Sequence, residues 1–149
     1  MKKEILDLKN HPSVTCYIEM LQNNISRMSS HSGIVKASMC VIYTIVITII
    51  LTIQNLDMYW WITLPITICM AILDSYYLAL EKVYRDKYDE FVDKLNLNRL
   101  DSQEIYNMKP RTTSLKFEML ARIIYAFKSF SIFGFYGVFI IISIIIHLI

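Results

Sequence analysis

Three long stretches without a charged residue constrain this chain more than any other feature. They cover residues 37–56, 58–73 and 129–149. A helix needs about 20 mostly apolar residues to cross a hydrocarbon core of ~30 Å, and the second stretch reaches that length when residues 75–80 are counted with it. The chain is 55% hydrophobic and 19% charged, and its apolar residues fall in these blocks. We therefore predict an all-α membrane protein with three transmembrane helices and helical cytosolic extensions.

The basic residues predict the orientation of these spans. Of the 15 Lys and Arg residues, five precede the first uncharged stretch (37–56) and ten lie between the second and the third. The connector at 54–59 contains none. Since basic residues are retained in the cytosol, the N-terminus and the central region are predicted to be cytosolic and the C-terminus to lie outside.

The predicted segments follow from this arrangement. They are a cytosolic amphipathic helix (1–33), the first transmembrane helix (34–56), the second (60–80), a cytosolic helical region (81–128) and the third transmembrane helix (129–149). Pro12 is typical of a helix start, and the residues at 29–33, which include Gly33, weaken the helix and predict a hinge or bend. Residues 66–93 contain neither Gly nor Pro, which predicts one helix running from the membrane into the cytosol. A short helix is expected after Asp101, and the last helix, starting near Ser114, is expected to continue into the third span.

Polar residues inside the spans are candidates for a pore or a gate. Asp74 lies roughly 20 Å below the Trp60–Trp61 pair at 1.5 Å per residue, which is within the hydrocarbon core. A carboxylate at that depth must face protein or water. Threonines recur every four residues along one side of the first span. Their hydroxyl groups either bond to their own helix or line a pore. The pore or gating candidates are Thr44, Thr48, Thr52 and Asp74.

A second set of candidates lies where the second span leaves the membrane. Lys36 and Glu81 fall at a similar depth when the helical rise is counted from the connector, so we predict that they pair. Tyr77 shares the Asp74 side of the helix with Glu81. We expect Lys36, Tyr77 and Glu81 to make contacts at this boundary or between subunits.

The cytosolic helices interleave aromatic rings with cations. Aromatic rings can stack on bases and cations can neutralise phosphates, which is the chemistry of single-strand binding. The alternative is that the tyrosines fill the seam between packed helices. The candidates for oligonucleotide binding are Arg27, Tyr84, Arg85, Lys87 and Tyr88.

The sequence contains no motif of an enzyme active site. A Gly-rich phosphate loop, HExxH, CxxC and GxSxG are all absent. We therefore expect no catalytic residues, and we predict neither a cofactor nor a metal site.

One motif at the end of the second span resembles a known group of proteins. Small bacterial membrane effectors of anti-phage defence operons carry a pattern close to LDxYYLxxExxYRxxYD at this place, and the stretch LDSYYLALEKVYRDKYD, residues 73–89, matches it. The likeness covers about residues 25–90 and is to SLATT-type effectors and the membrane partner in Hailong-type systems. It implies a homo-oligomer, with a tetramer as one such state, in the bacterial inner membrane. It also implies an operon-encoded nucleotidyltransferase as partner, whose oligonucleotide product acts as the signal.

Three functions therefore compete. The first is an oligomeric effector that forms an ion-conducting pore or disrupts the membrane. The second is a membrane-anchored oligonucleotide-binding regulator that conducts no ions. The third is a structural membrane scaffold.

Overall fold

The computed structural model describes residues 11–52, 61–97 and 115–148. These residues form four helices, which we number α1 (Pro12–Thr52), α2 (Thr63–Asn96), α3 (Leu115–Phe127) and α4 (Phe130–Leu148). The described part of the chain is all-helical, which confirms the all-α part of the predicted fold class. By length and composition α1 and α2 can each cross a membrane, and α3 with α4 can form a third crossing if this bent pair is one span. The fold is thus compatible with a membrane location.

Helix α1 runs for 41 residues from Pro12, the predicted start. The predicted hinge at 29–33 is wrong, because the helix is not interrupted there and joins the two predicted segments 1–33 and 34–56. Met28, Ser32 and Val35 are all buried on one side of this stretch. Helices in proteins are stabilised mainly by packing of one face, and this packing outweighs the weak helix preference of serine and glycine.

Helix α2 runs from the apolar window into the charged region without a break, as predicted from the absence of Gly and Pro in residues 66–93. It ends at Asn96. Pro65 is its third residue, where the missing N–H has no helical partner to lose. α1 and α2 pack antiparallel. At one end a cluster contains Val14, Tyr17, Leu21 and Phe91, and at the other a cluster contains Met39, Tyr43, Ala71, Ile132 and Tyr136.

The last helix does not continue straight into the third span, so that prediction is wrong. The chain bends by 63° between α3 and α4. The N–H groups of Lys128 and Ser129 donate to the carbonyls three residues back, at 3.2 and 2.9 Å, which tightens the end of α3. The Ser129 carbonyl then accepts from Ile132 and Phe133 and begins α4. The short helix predicted after Asp101 lies outside the described residues.

Candidate functional site

An ion pair is buried where α1 crosses α2. Asp74 of α2 is 0% exposed. Its Oδ1 accepts a hydrogen bond from the Ser32 hydroxyl, and its Oδ2 lies 2.8 Å from Lys36 Nζ. Lys36 Nζ also donates to Ser32 Oγ at 2.9 Å. Ser32 therefore links the two charges, and the three side chains form a closed polar centre.

Helix α4 packs beside this centre. Its Tyr136 is 3% exposed and lies in the buried cluster with Met39 of α1 and Ala71 of α2. Buried charges are tolerated when they are paired and hydrogen-bonded, and the removal of one partner is strongly destabilising. The centre therefore fixes α1 against α2, next to the apolar cluster through which α4 packs on both helices.

The predicted pairing of Lys36 with Glu81 is wrong. Glu81 is paired one turn along its own helix, where Arg85 Nε and Nη2 approach its Oε1 at 2.8 and 2.7 Å. The contacts of His31 with Tyr77 and of Gln22 with Tyr88 set an antiparallel register in which Lys36 is level with residues 72–74 of α2, about two turns from Glu81. Counting helical rise from the connector therefore gave the wrong register, and Lys36 meets Asp74, which has no cation on its own helix within a turn.

Tyr77 lies beside this centre and takes no part in it. Its ring is half-buried and stacks on His31 with ring centroids 5.2 Å apart. Tyr76 packs edge-on against it at 5.7 Å. Tyr77 thus contributes a boundary contact within one subunit, between α1 and α2.

A second polar cluster joins the same three helices nearer the predicted outer surface. The Tyr43 hydroxyl donates to the Phe139 carbonyl at 2.7 Å and lies 2.7 Å from Ser143 Oγ. Thr63 Oγ1 lies 2.8 Å from the same Ser143 oxygen. Sequence reasoning missed this cluster. Its only signal was the presence of hydroxyl side chains in apolar windows, and their partners depend on how the helices pack.

The three α1 threonines lie on a face that the other helices leave uncovered. Thr44, Thr48 and Thr52 are exposed, and each hydroxyl donates to the carbonyl four residues earlier at 2.6–2.8 Å. Thr48 and Thr52 both lie about 160° around the helix from the buried Ile50, at ~100° per residue. Asp74 is on the opposite side of α1 from this threonine face. The structure therefore separates the four pore or gating candidates into two places.

The proposed oligonucleotide-binding residues are mostly engaged in packing. Tyr84 and Tyr88 pack against the buried cluster of Tyr17, Leu21 and Phe91, where Tyr17 and Phe91 meet edge-on at 4.7 Å. The Tyr88 hydroxyl also accepts a long hydrogen bond from Gln22, at 3.5 Å. Of the cations, Arg85 is held by Glu81, Lys87 is half-buried and makes a contact of its own, and Arg27 is exposed. These five side chains do not form one open surface.

No protein-family model, curated protein or solved structure was found to match this chain. The resemblance of residues 73–89 to defence effectors therefore stays a prediction.

Proposed function

We propose that this protein is an oligomeric membrane effector in which several copies place the threonine face of α1 (Thr44, Thr48 and Thr52) around an ion-conducting path. One observation carries the proposal: this polar face is left uncovered by α2 and α4, which pack on the other side of α1. Two or three crossing helices are too few to enclose a pore, so conduction requires further copies.

Backbone-bonded threonine hydroxyls are tolerated in lipid as well as in pores. The argument for a pore is that polar and small residues recur along the uncovered face, where Ile34 and Val41 are its exposed large apolar residues. It carries Asn23, Ser26, Ser30 and Ala37 before the threonines, and all of these are exposed. Small and hydroxyl-bearing residues also favour close contact between membrane helices.

The continuity of α1 supports a route from signal to pore. The same helix packs against α2 in the cytosolic cluster around Tyr17 and Phe91 and then carries the threonine face across the membrane. A displacement of the cytosolic end is transmitted along an uninterrupted helix. A bacterial defence operon, with a nucleotidyltransferase as partner, is the setting that the resemblance suggests for such a signal.

The proposal is tested with single-cysteine variants in a background where Cys16, Cys40 and Cys69 are replaced by serine. These three thiols are free and exposed, so their replacement leaves the core unchanged. Thr48→Cys reports on the threonine face. Ile141→Cys, on the exposed apolar side of α4 (58% exposed), is the matched control.

The purified variants are reconstituted in liposomes and examined for ion flux and for oxidative cross-linking between copies. We expect Thr48→Cys to cross-link, and its modification by a charged thiol reagent to reduce the flux severalfold. Ile141→Cys should not cross-link between copies, and its modification should leave the ion flux unchanged. If the two variants behave alike in both measurements, the threonine face contacts lipid and the proposal fails.

A further inference from the structure

Helix α3 exposes apolar side chains along one side although it leads directly into a membrane-length helix. Leu120, Ile124 and Phe127 are 57%, 62% and 38% exposed. At ~100° per residue they fall within an arc of about 60°. We call these three residues the apolar face of α3. Arg122 lies on the opposite side of the helix.

Contacts with α2 fix the direction in which this face points. Arg122 Nη1 pairs with Asp86 Oδ2 at 2.6 Å, and Lys82 Nζ lies 5.2 Å from the centroid of the Tyr125 ring. Both contacts use the polar side of α3. The apolar face is therefore turned away from α2, and none of the described residues covers it.

The depth of these contacts matches a membrane surface. Lys82 is 21 residues beyond Trp61, which corresponds to roughly 31 Å of helix, about the thickness of the hydrocarbon core. Trp61 is 54% exposed at the other end of the same span, in keeping with an interfacial tryptophan. Lys82 and the α3 residue that it contacts, Tyr125, thus fall at the opposite interface.

Exposed aromatic side chains follow the apolar face along the chain, at the start of α4. Phe130 and Phe133, at the start of α4, are 90% and 76% exposed. The 63° bend leaves α3 about 27° from the bilayer plane if α4 follows the membrane normal. Lys128, at the bend, is exposed beside these rings.

We propose that α3 is a surface-binding helix that lies on the cytosolic leaflet of the same bilayer that α4 enters. Its apolar face inserts at the boundary between headgroups and acyl chains, as in interfacial amphipathic helices. Lys128 and Lys82 contact anionic lipid headgroups, to which basic residues near the surface are attracted. This inference requires the helices to cross a bilayer but does not require a pore.

The test uses a polarity-sensitive fluorophore attached to single cysteines in the serine background described above. The variants are reconstituted in vesicles of phosphatidylcholine with a minor share of phosphatidylglycerol. Ile124→Cys probes the apolar face of α3. Asp93→Cys, exposed on the cytosolic part of α2, is the control for water, and Ile141→Cys is the control for the membrane span.

Nitroxide groups at shallow and deep positions of the acyl chain, and aqueous iodide, serve as quenchers. We expect shallow nitroxides to quench the Ile124 probe severalfold more than deep nitroxides or iodide do. Quenching mainly by iodide, as for Asp93, would show a helix in water. Protection from both lipid and iodide would show a protein partner on this face. Either result overturns the proposal.

A second arm isolates the headgroup contact. Lys128→Glu in the Ile124→Cys variant should weaken shallow quenching in vesicles with phosphatidylglycerol and have little effect in pure phosphatidylcholine. The same quenching in both lipids, with and without the substitution, would exclude recognition of anionic headgroups.

Discussion

The asymmetry of the buried ion pair leads to a prediction for its two residues. The Asp74 side chain is 0% exposed, whereas that of Lys36 is 23% exposed. When Asp74 is replaced, the unpaired Lys36 can move its ammonium group toward the interface. When Lys36 is replaced, the unpaired Asp74 carboxylate cannot reach water. We expect Lys36→Met to lower the free energy of unfolding by about 3–5 kcal/mol, and Asp74→Leu to lower it by less.

Denaturant unfolding of the detergent-solubilised protein measures both losses. The double variant Lys36→Met with Asp74→Leu should recover most of the stability, because it removes both charges together. Ile72→Ala is the control for simple truncation. Ile72 is exposed and lies about half a helical turn from Asp74 on α2, so this change should have a small effect on the free energy of unfolding. Equal losses for Ile72→Ala and Lys36→Met would mean that the ion pair has no special role.

The Tyr43 hydroxyl offers a second test at the residue scale. It reaches the Phe139 carbonyl and Ser143 Oγ, both on α4, and thereby links α1 to α4. Hydrogen bonds between membrane helices contribute about 0.6 kcal/mol on average, with ~1.7 kcal/mol as the upper end. Tyr43→Phe should lower the free energy of unfolding within that range. Tyr76→Phe, at an exposed ring, should leave it unchanged, and a similar loss in both would rule out a specific role for this cluster.

At the scale of the element, the continuity of α1 across 29–33 predicts a substitution that stabilises the protein, whereas those above destabilise it. A Cβ atom added at Gly33 meets nothing within 4 Å. Alanine is favoured over glycine in a helix interior by roughly 0.5–1 kcal/mol. Gly33→Ala should therefore raise the midpoint of thermal unfolding in detergent. A lower midpoint would indicate that Gly33 closely approaches another copy or that the helix must bend there.

The seam between α1 and α2 predicts different roles for neighbouring residues of the LDxYYLxxExxYRxxYD motif. Tyr88 packs against buried Tyr17, Leu21 and Phe91, whereas the Arg85 side chain is 60% exposed. Tyr88→Ala should lower the free energy of unfolding by about 1–3 kcal/mol, and Arg85→Lys, which keeps a cation beside Glu81, by less than ~0.5 kcal/mol. Denaturant unfolding of both variants measures the two losses in the free energy of unfolding. Unchanged stability in Tyr88→Ala would return this tyrosine to the set of ligand-binding candidates.

The sequence was informative about elements and less so about their contacts. The start of α1 at Pro12 and the unbroken α2 follow from local residue preferences, which a single sequence displays. The bend at 128–129 was missed because neither Gly nor Pro marks it. The need of Asp74 for a protein environment followed from the cost of a charge in lipid. Its partner did not, because the register between α1 and α2 depends on how the helices pack, and the helical rise counted from the connector does not give it.

At the scale of the whole molecule, the two ends of α2 carry different interfacial chemistry. The Trp61 end has no basic residue nearby in the sequence, while the Lys82 end is followed by nine further Lys and Arg residues before the third apolar window. Lys82, Arg122 and Lys128 all lie on the same side of the described bundle, near the bend between α3 and α4. The fold therefore keeps these cations at one end of the bundle, and the positive-inside rule predicts that this end is cytosolic.

This arrangement predicts the topology of the chain in cells. Asn96, exposed near the end of α2, and Trp61, exposed near its start, should lie on opposite sides of the membrane. In the serine background, a membrane-impermeant thiol reagent added to intact cells should label Trp61→Cys and leave Asn96→Cys unlabelled until the cells are permeabilised. Labelling of Asn96→Cys in intact cells would reverse the orientation. It would also place the cations of α2 and α3 on the outer surface, where the anionic lipids of the cytosolic leaflet could not hold α3.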